Sequence, residues 1–345
     1  MKKLSFGIIG CGDIADQEAQ AITKSENSVL TIVMDVNKEY AKRLGEKYKV
    51  PYSNDLKEVL SRKDVDVVLI AVPHFLHKPI SIEAAKAGKH IIVEKPIATN
   101  LKDADEMIKT AKKCGVKMSV AYCLRFQPMV EKAKELIERD VIGKIINITI
   151  QSMGYKPESY WTSGWTKVVT TDWRASIKKS GGGVLIMNVS HFIDMLYYIT
   201  GLEVERIYSE FDTFATKVEV EDMLVAVLRY KNGAVGLIQT SSTAFGGGEQ
   251  ANRIYGTNGQ IILSKPLKVY TTKNIENLEP NKWNEVSLPP MENEWITPRI
   301  NYINKFSDAI LNNKEIPVPG EEGRKSLEII VSAYNAGRKH KPIKI

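Results

Sequence analysis

The sequence predicts an α/β protein of two domains, an N-terminal Rossmann-type domain with a doubly covered parallel sheet and a C-terminal α+β domain built on a large, mainly antiparallel open sheet. Three observations lead there. Over roughly the first third of the chain, short β-branched runs alternate with longer charged amphipathic stretches, the grammar of a parallel sheet with helices on both faces. Further on, alternating apolar and polar runs follow one another through turns such as Lys231-Asn232-Gly233, which indicates antiparallel neighbours. The length, 345 residues, exceeds one ordinary core and suits two domains of about 100 to 200 residues each. The expected boundary divides 1–122 from 123–345, with the last helix packing back on the first domain.

In chain order, residues 4–9, 30–34, 65–72, 90–93 and 117–121 read as strands of the first sheet. Residues 13–23, 38–47, 56–61, 77–87 and 101–114 read as the helices between them. Short turns such as Ala87-Gly88-Lys89 and Cys114-Gly115-Val116 lead from helix to strand, with glycine where a helix ends left-handed. A helix over 129–138 precedes strands at 144–151, 204–212, 223–230, 234–241, 251–255 and 259–263. One helix, 184–199, interrupts them before Thr200-Gly201, and two more, 302–311 and 323–337, close the chain. Residues 265–291, polar and proline-containing, read as a long, partly irregular loop.

Composition narrows the function classes. With 43% hydrophobic and 26% charged residues the chain has an ordinary globular make-up and no compositional signature of disorder. The net charge of +7 is dispersed, basic residues lying close to acidic ones, which argues against a nucleic-acid or membrane partner while leaving a local anion-attracting patch open. Cys11, Cys114 and Cys123 show neither disulfide nor zinc spacing, which fits a reducing cytoplasm. The basic opening Lys2-Lys3 and the apolar run to Cys11 superficially resemble a secretory or lipoprotein signal, but the run is short for one. No run approaches the roughly 20 apolar residues of a membrane span.

The first strand runs into Gly7-Ile8-Ile9-Gly10-Cys11-Gly12-Asp13-Ile14-Ala15 and then a helix, so Gly10, Gly12 and Ala15 occupy the three positions of a dinucleotide fingerprint. The first glycine permits the tight turn, the second admits a pyrophosphate to the backbone, and the small third residue lets helix and strand pack. Asp35 ends the second strand, 23 residues after Gly12, where a carboxylate accepts hydrogen bonds from ribose hydroxyls and repels a 2'-phosphate. NAD is therefore expected in preference to NADP.

Further motifs carry a resemblance: Pro73-His74-Phe75-Leu76-His77, Val93-Glu94-Lys95-Pro96, Tyr122-Cys123-Leu124-Arg125-Phe126-Gln127-Pro128, and Gly181-Gly182-Gly183 leading to His191-Phe192-Ile193-Asp194. In this order and spacing, over nearly the whole chain, they resemble the glucose-fructose oxidoreductase, inositol dehydrogenase and rhizopine catabolism (Gfo/Idh/MocA) family. The resemblance implies hydride transfer between nicotinamide and a CH–OH carbon of a sugar, polyol or sugar derivative. It implies Lys95 beside the nicotinamide and the reacting hydroxyl, and His191 as acid or base. Cofactor contacts are implied at Asp13, Ile14, Ala71, Pro73, His74, His77 and Glu94. Tyr122, Arg125, Trp173, Arg174 and Asn188 are the substrate candidates, although Arg125 equally suits a hinge ion pair. Asp194 is read as structural.

One position departs from the pattern. Many members carry an aspartate four residues before the histidine, where this chain has Met187, which exchanges no proton. Asn188 supplies a substrate hydrogen bond instead, or Lys95 and His191 share the proton work alone. No metal is expected. The resemblance further implies a homodimer or homotetramer that covers the open sheet. Two other readings stay open, an NAD-dependent glycosidase using transient oxidation and a non-catalytic NAD(H)-responsive regulator.

Overall fold

The computed structural model of the chain describes residues 3–248 and 250–345 and divides it into two compact units. Lys2, part of the basic opening, lies outside the described residues. Unit one gathers the chain up to Cys123 with Ser159–Gly181 and Glu292–Leu327, and unit two gathers Leu124–Glu158, Gly182–Met291 and Glu328–Ile345.

In unit one the chain runs β1 (Leu4–Ile9), α1 (Ala15–Lys24), β2 (Ser28–Met34), α2 (Lys38–Tyr48), β3 (Tyr52–Ser53), α3 (Leu56–Ser61), β4 (Val67–Ile70), α4 (His77–Lys86), β5 (His90–Val93), α5 (Leu101–Lys113) and β6 (Met118–Val120). The six strands are parallel in the order β3-β2-β1-β4-β5-β6. Every residue of β4 is buried, as expected of a strand covered on both faces. The chain leaves β1 for β2 on one side and takes up β4 on the other, so the sheet's switch point lies between β1 and β4, where open α/β sheets bind ligands. The helix Thr297–Leu311 packs on α1, and the start of the helix Gly320–Lys339 meets β6, where a Cβ on Gly323 would press on Val120.

Unit two begins with α6 (Pro128–Glu138) and β7 (Ile145–Met153), and continues after the helix Ser190–Thr200 with β8 (Val204–Asp212), β9 (Met223–Tyr230), β10 (Val235–Ser241), β11 (Gln250–Gly256), β12 (Gly259–Leu263), β13 (Leu267–Thr271) and β14 (Lys282–Val286), ending in β15 (Ile343–Lys344). The nine strands lie in the order β14-β13-β12-β11-β7-β10-β9-β8-β15, antiparallel throughout except for β7 beside β10. The two predicted sheet types are both present.

The differences have local causes. β13 and β14 fall inside the stretch read as loop; in β13 the buried residues Leu267, Val269 and Thr271 alternate with Lys268 and Tyr270, a period-2 pattern masked by the surrounding polar and proline residues. The two-residue β3 is too short for any periodicity to announce. The helix expected over 184–199 opens as a π-helix, Leu185–Val189, before turning α-helical. Ile177–Thr200 is, by composition, apolar enough to cross a membrane, and 72% of its most apolar window is buried within the fold, the behaviour of a core helix.

Candidate active site

β1 delivers the chain to Gly10, whose φ of +96° is one that side chains disfavour, and a Cβ there would collide with the Ala71 carbonyl. Gly10 N donates to Met34 O and Ala71 N to Ile9 O, each at 2.7 Å, which ties the turn to the ends of β2 and β4. Ala15 begins α1 fully buried, and Ile14 at the N-cap provides no side-chain cap. Ala15 N donates to Gly12 O at 3.3 Å and Gln17 N to Ile14 O at 3.0 Å, so backbone bonds close the turn and the positive end of the helix faces the glycines, the condition for anion binding at a helix start. Asp35 closes the mouth of the turn, its carboxylate accepting from Cys11 N at 2.8 Å and Asn37 N at 2.9 Å.

Asp13 is buried and its carboxylate is already engaged, by Arg174 Nη2 at 2.9 Å and by the Thr166 hydroxyl. The Arg174 guanidinium lies 4.7 Å from the centre of the Trp173 ring, and its Nη1 is buried without a hydrogen-bond partner. The segment predicted to touch substrate is thus fastened to the glycine turn. Trp173 also meets His74, ring centres 4.5 Å apart, while His74 Nδ1 sits 2.7 Å from Ser180 O. Burial pulls the His74 pKa well below its ordinary value. His77 is fully buried, with Nδ1 2.8 Å from Pro96 O and Nε2 3.0 Å from Val72 O.

Glu94 and Lys95 leave β5 at the carboxyl edge of the same sheet. Glu94 N still donates to Ile70 O at 2.9 Å, and Lys95 N turns back to Glu94 Oε2 at 3.1 Å. Glu94 Oε1 is buried without a partner. Burial, reinforced by the neighbouring Glu18 carboxylate, raises the Glu94 pKa to about 8. Burial likewise lowers Lys95 to about 8, against the pull of Glu94. Tyr122 is completely buried, and burial pushes the Cys123 thiol up to about 11.

Sequence reasoning missed the buried pair beside Glu94, in which Arg299 Nε meets Glu18 Oε1 at 2.6 Å. A signal was available. Glu18 falls on the stripe of α1 formed by Ala15, Ala19 and Ile22, where a charge among buried apolar residues needs a partner.

In unit two, Met187 is buried while Asn188 and His191 are half-buried, so the π-turn sets the asparagine and the histidine toward the more open side and the methionine inward. The start of this helical run is held by Glu221, which accepts from Gly183 N at 2.6 Å and Leu185 N at 3.0 Å. Tyr334 OH donates to the same carboxylate at 2.8 Å. A Cβ on Gly183 would collide with the Glu221 carbonyl, which accounts for one of the three glycines. Arg125, expected to reach cofactor or substrate, grips Asp194 with both arms of its fork at 2.7 and 2.6 Å, both residues buried. Its geometry is that of the structural ion pair.

Of the predicted residues, Gly10, Gly12, Asp13, Ile14, Ala15, Asp35, Ala71, Pro73, His74, His77, Glu94, Lys95, Tyr122, Trp173 and Arg174 all belong to unit one, and Arg125, Asn188 and His191 to unit two. A dinucleotide fits the first group: the glycine turn leads to a helix start with no side-chain cap, and Glu94 Oε1 is a buried oxygen with no hydrogen-bond partner. Among the described residues no group of three or more His, Cys, Asp or Glu is gathered as a metal site.

A sheet of this order, with a glycine turn at the switch point, a carboxylate closing β2 and a half-buried lysine ending β5, defines a dinucleotide-dependent oxidoreductase. The chain belongs to the Gfo/Idh/MocA oxidoreductase family, residues 4–122 matching its NAD-binding Rossmann fold and 134–345 its C-terminal alpha/beta domain. NAD is its cofactor. It is 29% identical to myo-inositol 2-dehydrogenase of Thermotoga maritima, over 99% of this chain and 98% of that protein. It is 28% identical to 2,7-anhydro-N-acetylneuraminate hydratase of Mediterraneibacter gnavus, over 76% and 68%. The WlbA dehydrogenase of Bordetella pertussis, solved with NADH and UDP-GlcNAcA, superposes with a TM-score of 0.84 at 25% identity, over 100% and 99%.

Proposed function

We propose that this oxidoreductase transfers a hydride between nicotinamide and a CH–OH carbon of a sugar, polyol or sugar derivative. NAD, when bound, supplies the hydride acceptor. The observation that carries the reading is a half-buried lysine at the end of β5, in the unit that holds the glycine turn, with its pKa lowered to about 8. An amine so placed orients a hydroxyl, takes its proton in the neutral form and stabilises alkoxide character in the charged form. Glu94 Oε1 offers the nicotinamide end an acceptor, Asp35 takes the ribose hydroxyls, and the uncapped start of α1 takes the pyrophosphate. His191 is assigned as the second proton-handling residue, with Asn188 and Trp173 as substrate contacts; Tyr122, fully buried, offers a substrate no surface. Arg174 joins them through its unpartnered Nη1. Likeness to inositol, anhydrosugar and nucleotide-sugar enzymes supports the substrate class.

The test is a screen of NAD-linked turnover against inositols, aldoses and nucleotide sugars, repeated with Lys95→Met. Loss of turnover by on the order of a hundredfold or more, with NADH binding intact, is expected; retained turnover would remove Lys95 from the chemistry. The hydratase likeness favours a second reading, transient oxidation followed by re-reduction. Substrate conversion without accumulating NADH absorbance selects it.

A further inference from the structure

We infer that His77 is a positioning residue for Lys95, holding the turn that carries the lysine through the carbonyl of Pro96, and is not a contact of the cofactor; the inference rests on the role proposed for Lys95. β4 and β5 are paired in register from Val67 with His90 to Ile70 with Val93. Beyond the ladder, the two chains leave the sheet at Val72 and Pro96. The ring of His77, at the start of α4, touches both, 2.8 Å from Pro96 O and 3.0 Å from Val72 O. One imidazole thus lies between the two strand exits past the end of their hydrogen bonding, against the residue adjoining Lys95.

Both ring nitrogens face backbone oxygens and the side chain is wholly buried, so no polar edge remains for a ribose or phosphate. A neutral imidazole donates once, and we assign its N–H to the shorter contact, with Pro96. Burial favours the neutral ring and lowers its pKa to about 4; the Pro96, Val72 and Ile97 carbonyls oppose this, and the Lys95 ammonium adds to it. The other titratable neighbour is His74, ring centres 5.6 Å apart. A displacement of about 1 Å at a reacting group costs up to on the order of a hundredfold in rate, which sets the scale on which such a tether matters.

The experiment compares full-length wild type, His77→Leu and His77→Asn in three readouts: kcat, NADH affinity by fluorescence titration, and the pH dependence of Lys95 acylation by competitive labelling. For His77→Leu, kcat is expected to fall about tenfold or more while NADH affinity stays within about threefold. The labelling pKa of Lys95 should move by about half a unit or more as the turn loosens. Asparagine, whose amide nitrogen takes the place of Nδ1 and keeps a donor toward Pro96, should recover most of both. Weakened NADH binding with normal kcat and labelling would make His77 a cofactor contact and overturn the inference, as would no change in any readout. If the leucine variant does not fold, His77→Gln replaces it, its amide lying at the position of Nε2, toward Val72 and not Pro96, and wild-type labelling there is equally fatal. If wild type turns over no polyol or sugar, the proposed function fails while the labelling still decides the case for His77.

Discussion

Lys95 and Glu94 are adjacent, oppositely charged and both driven toward neutrality by burial, so their titrations near pH 8 belong to the pair. Oxidation of an alcohol requires an amine free to accept a proton. In that direction kcat/KM should rise with pH and level off near 8; in the reducing direction, where the ammonium must donate, it should fall above the same value. Lys95→Met should flatten both limbs, and pH profiles measured in the two directions check the sign. Asp35 carries an independent prediction. Its carboxylate is fixed by two backbone amides across the mouth of the glycine turn, so Asp35→Ser should lower the NAD-to-NADP ratio of kcat/KM by about tenfold or more, as a repulsive charge near the 2' position disappears. Asp35 was singled out by its distance from the glycine turn and Lys95 by the resemblance of its Glu-Lys-Pro motif, and both follow the ends of strands in the first sheet. Glu18 and Arg299 were not singled out: 281 positions separate them, and nothing local pairs a helix-face glutamate with an arginine so remote.

The helical run that carries Asn188 and His191 illustrates what an element's sequence reveals and withholds. Its apolar character and the Gly181-Gly182-Gly183 break were legible. The π-turn was not, because a single wide turn leaves the hydrophobic pattern almost unchanged while shifting which side chains share a face. Nor was its anchor, since Glu221 comes from 36 residues past Leu185 and satisfies amides that a helix start otherwise leaves open. Glu221→Ala removes a buried acceptor of two backbone amides and of the Tyr334 hydroxyl, so unfolding free energy should fall by about 2–4 kcal/mol. The loss should show as a lower midpoint in chemical denaturation, with the helix's own alignment suffering first. A drop in kcat at temperatures where the variant is still folded would report that misalignment. A midpoint equal to wild type would show that water replaces the carboxylate at no cost.

At the scale of the molecule, the sheet of unit two has one face on its own helices and another that unit two leaves open. Along β9 the residues Leu224, Ala226 and Leu228 are buried, while Val225 and Val227 look the other way, Val227 half exposed. Leu237 of β10 lies directly opposite Val227 in the register. A broad sheet face carrying valine and leucine among polar residues such as Gln239 is a surface that a second copy of the chain covers well, and symmetric association of like faces closes without leaving an open end. We propose this face as the oligomer contact, which the sequence implied only through family resemblance. Replacing Val227 and Leu237 together by lysine places like charges opposite each other on neighbouring strands and, in an assembly, against their counterparts. Light scattering after size exclusion should then give the mass of a single chain where the unaltered protein gives a multiple of it. The variant's denaturation midpoint should become independent of protein concentration, because the linkage between folding and association is gone. A single-chain mass for the unaltered protein would instead mean that the mixed polar composition of this face suffices in water, as it does for antiparallel sheets solvated on one side.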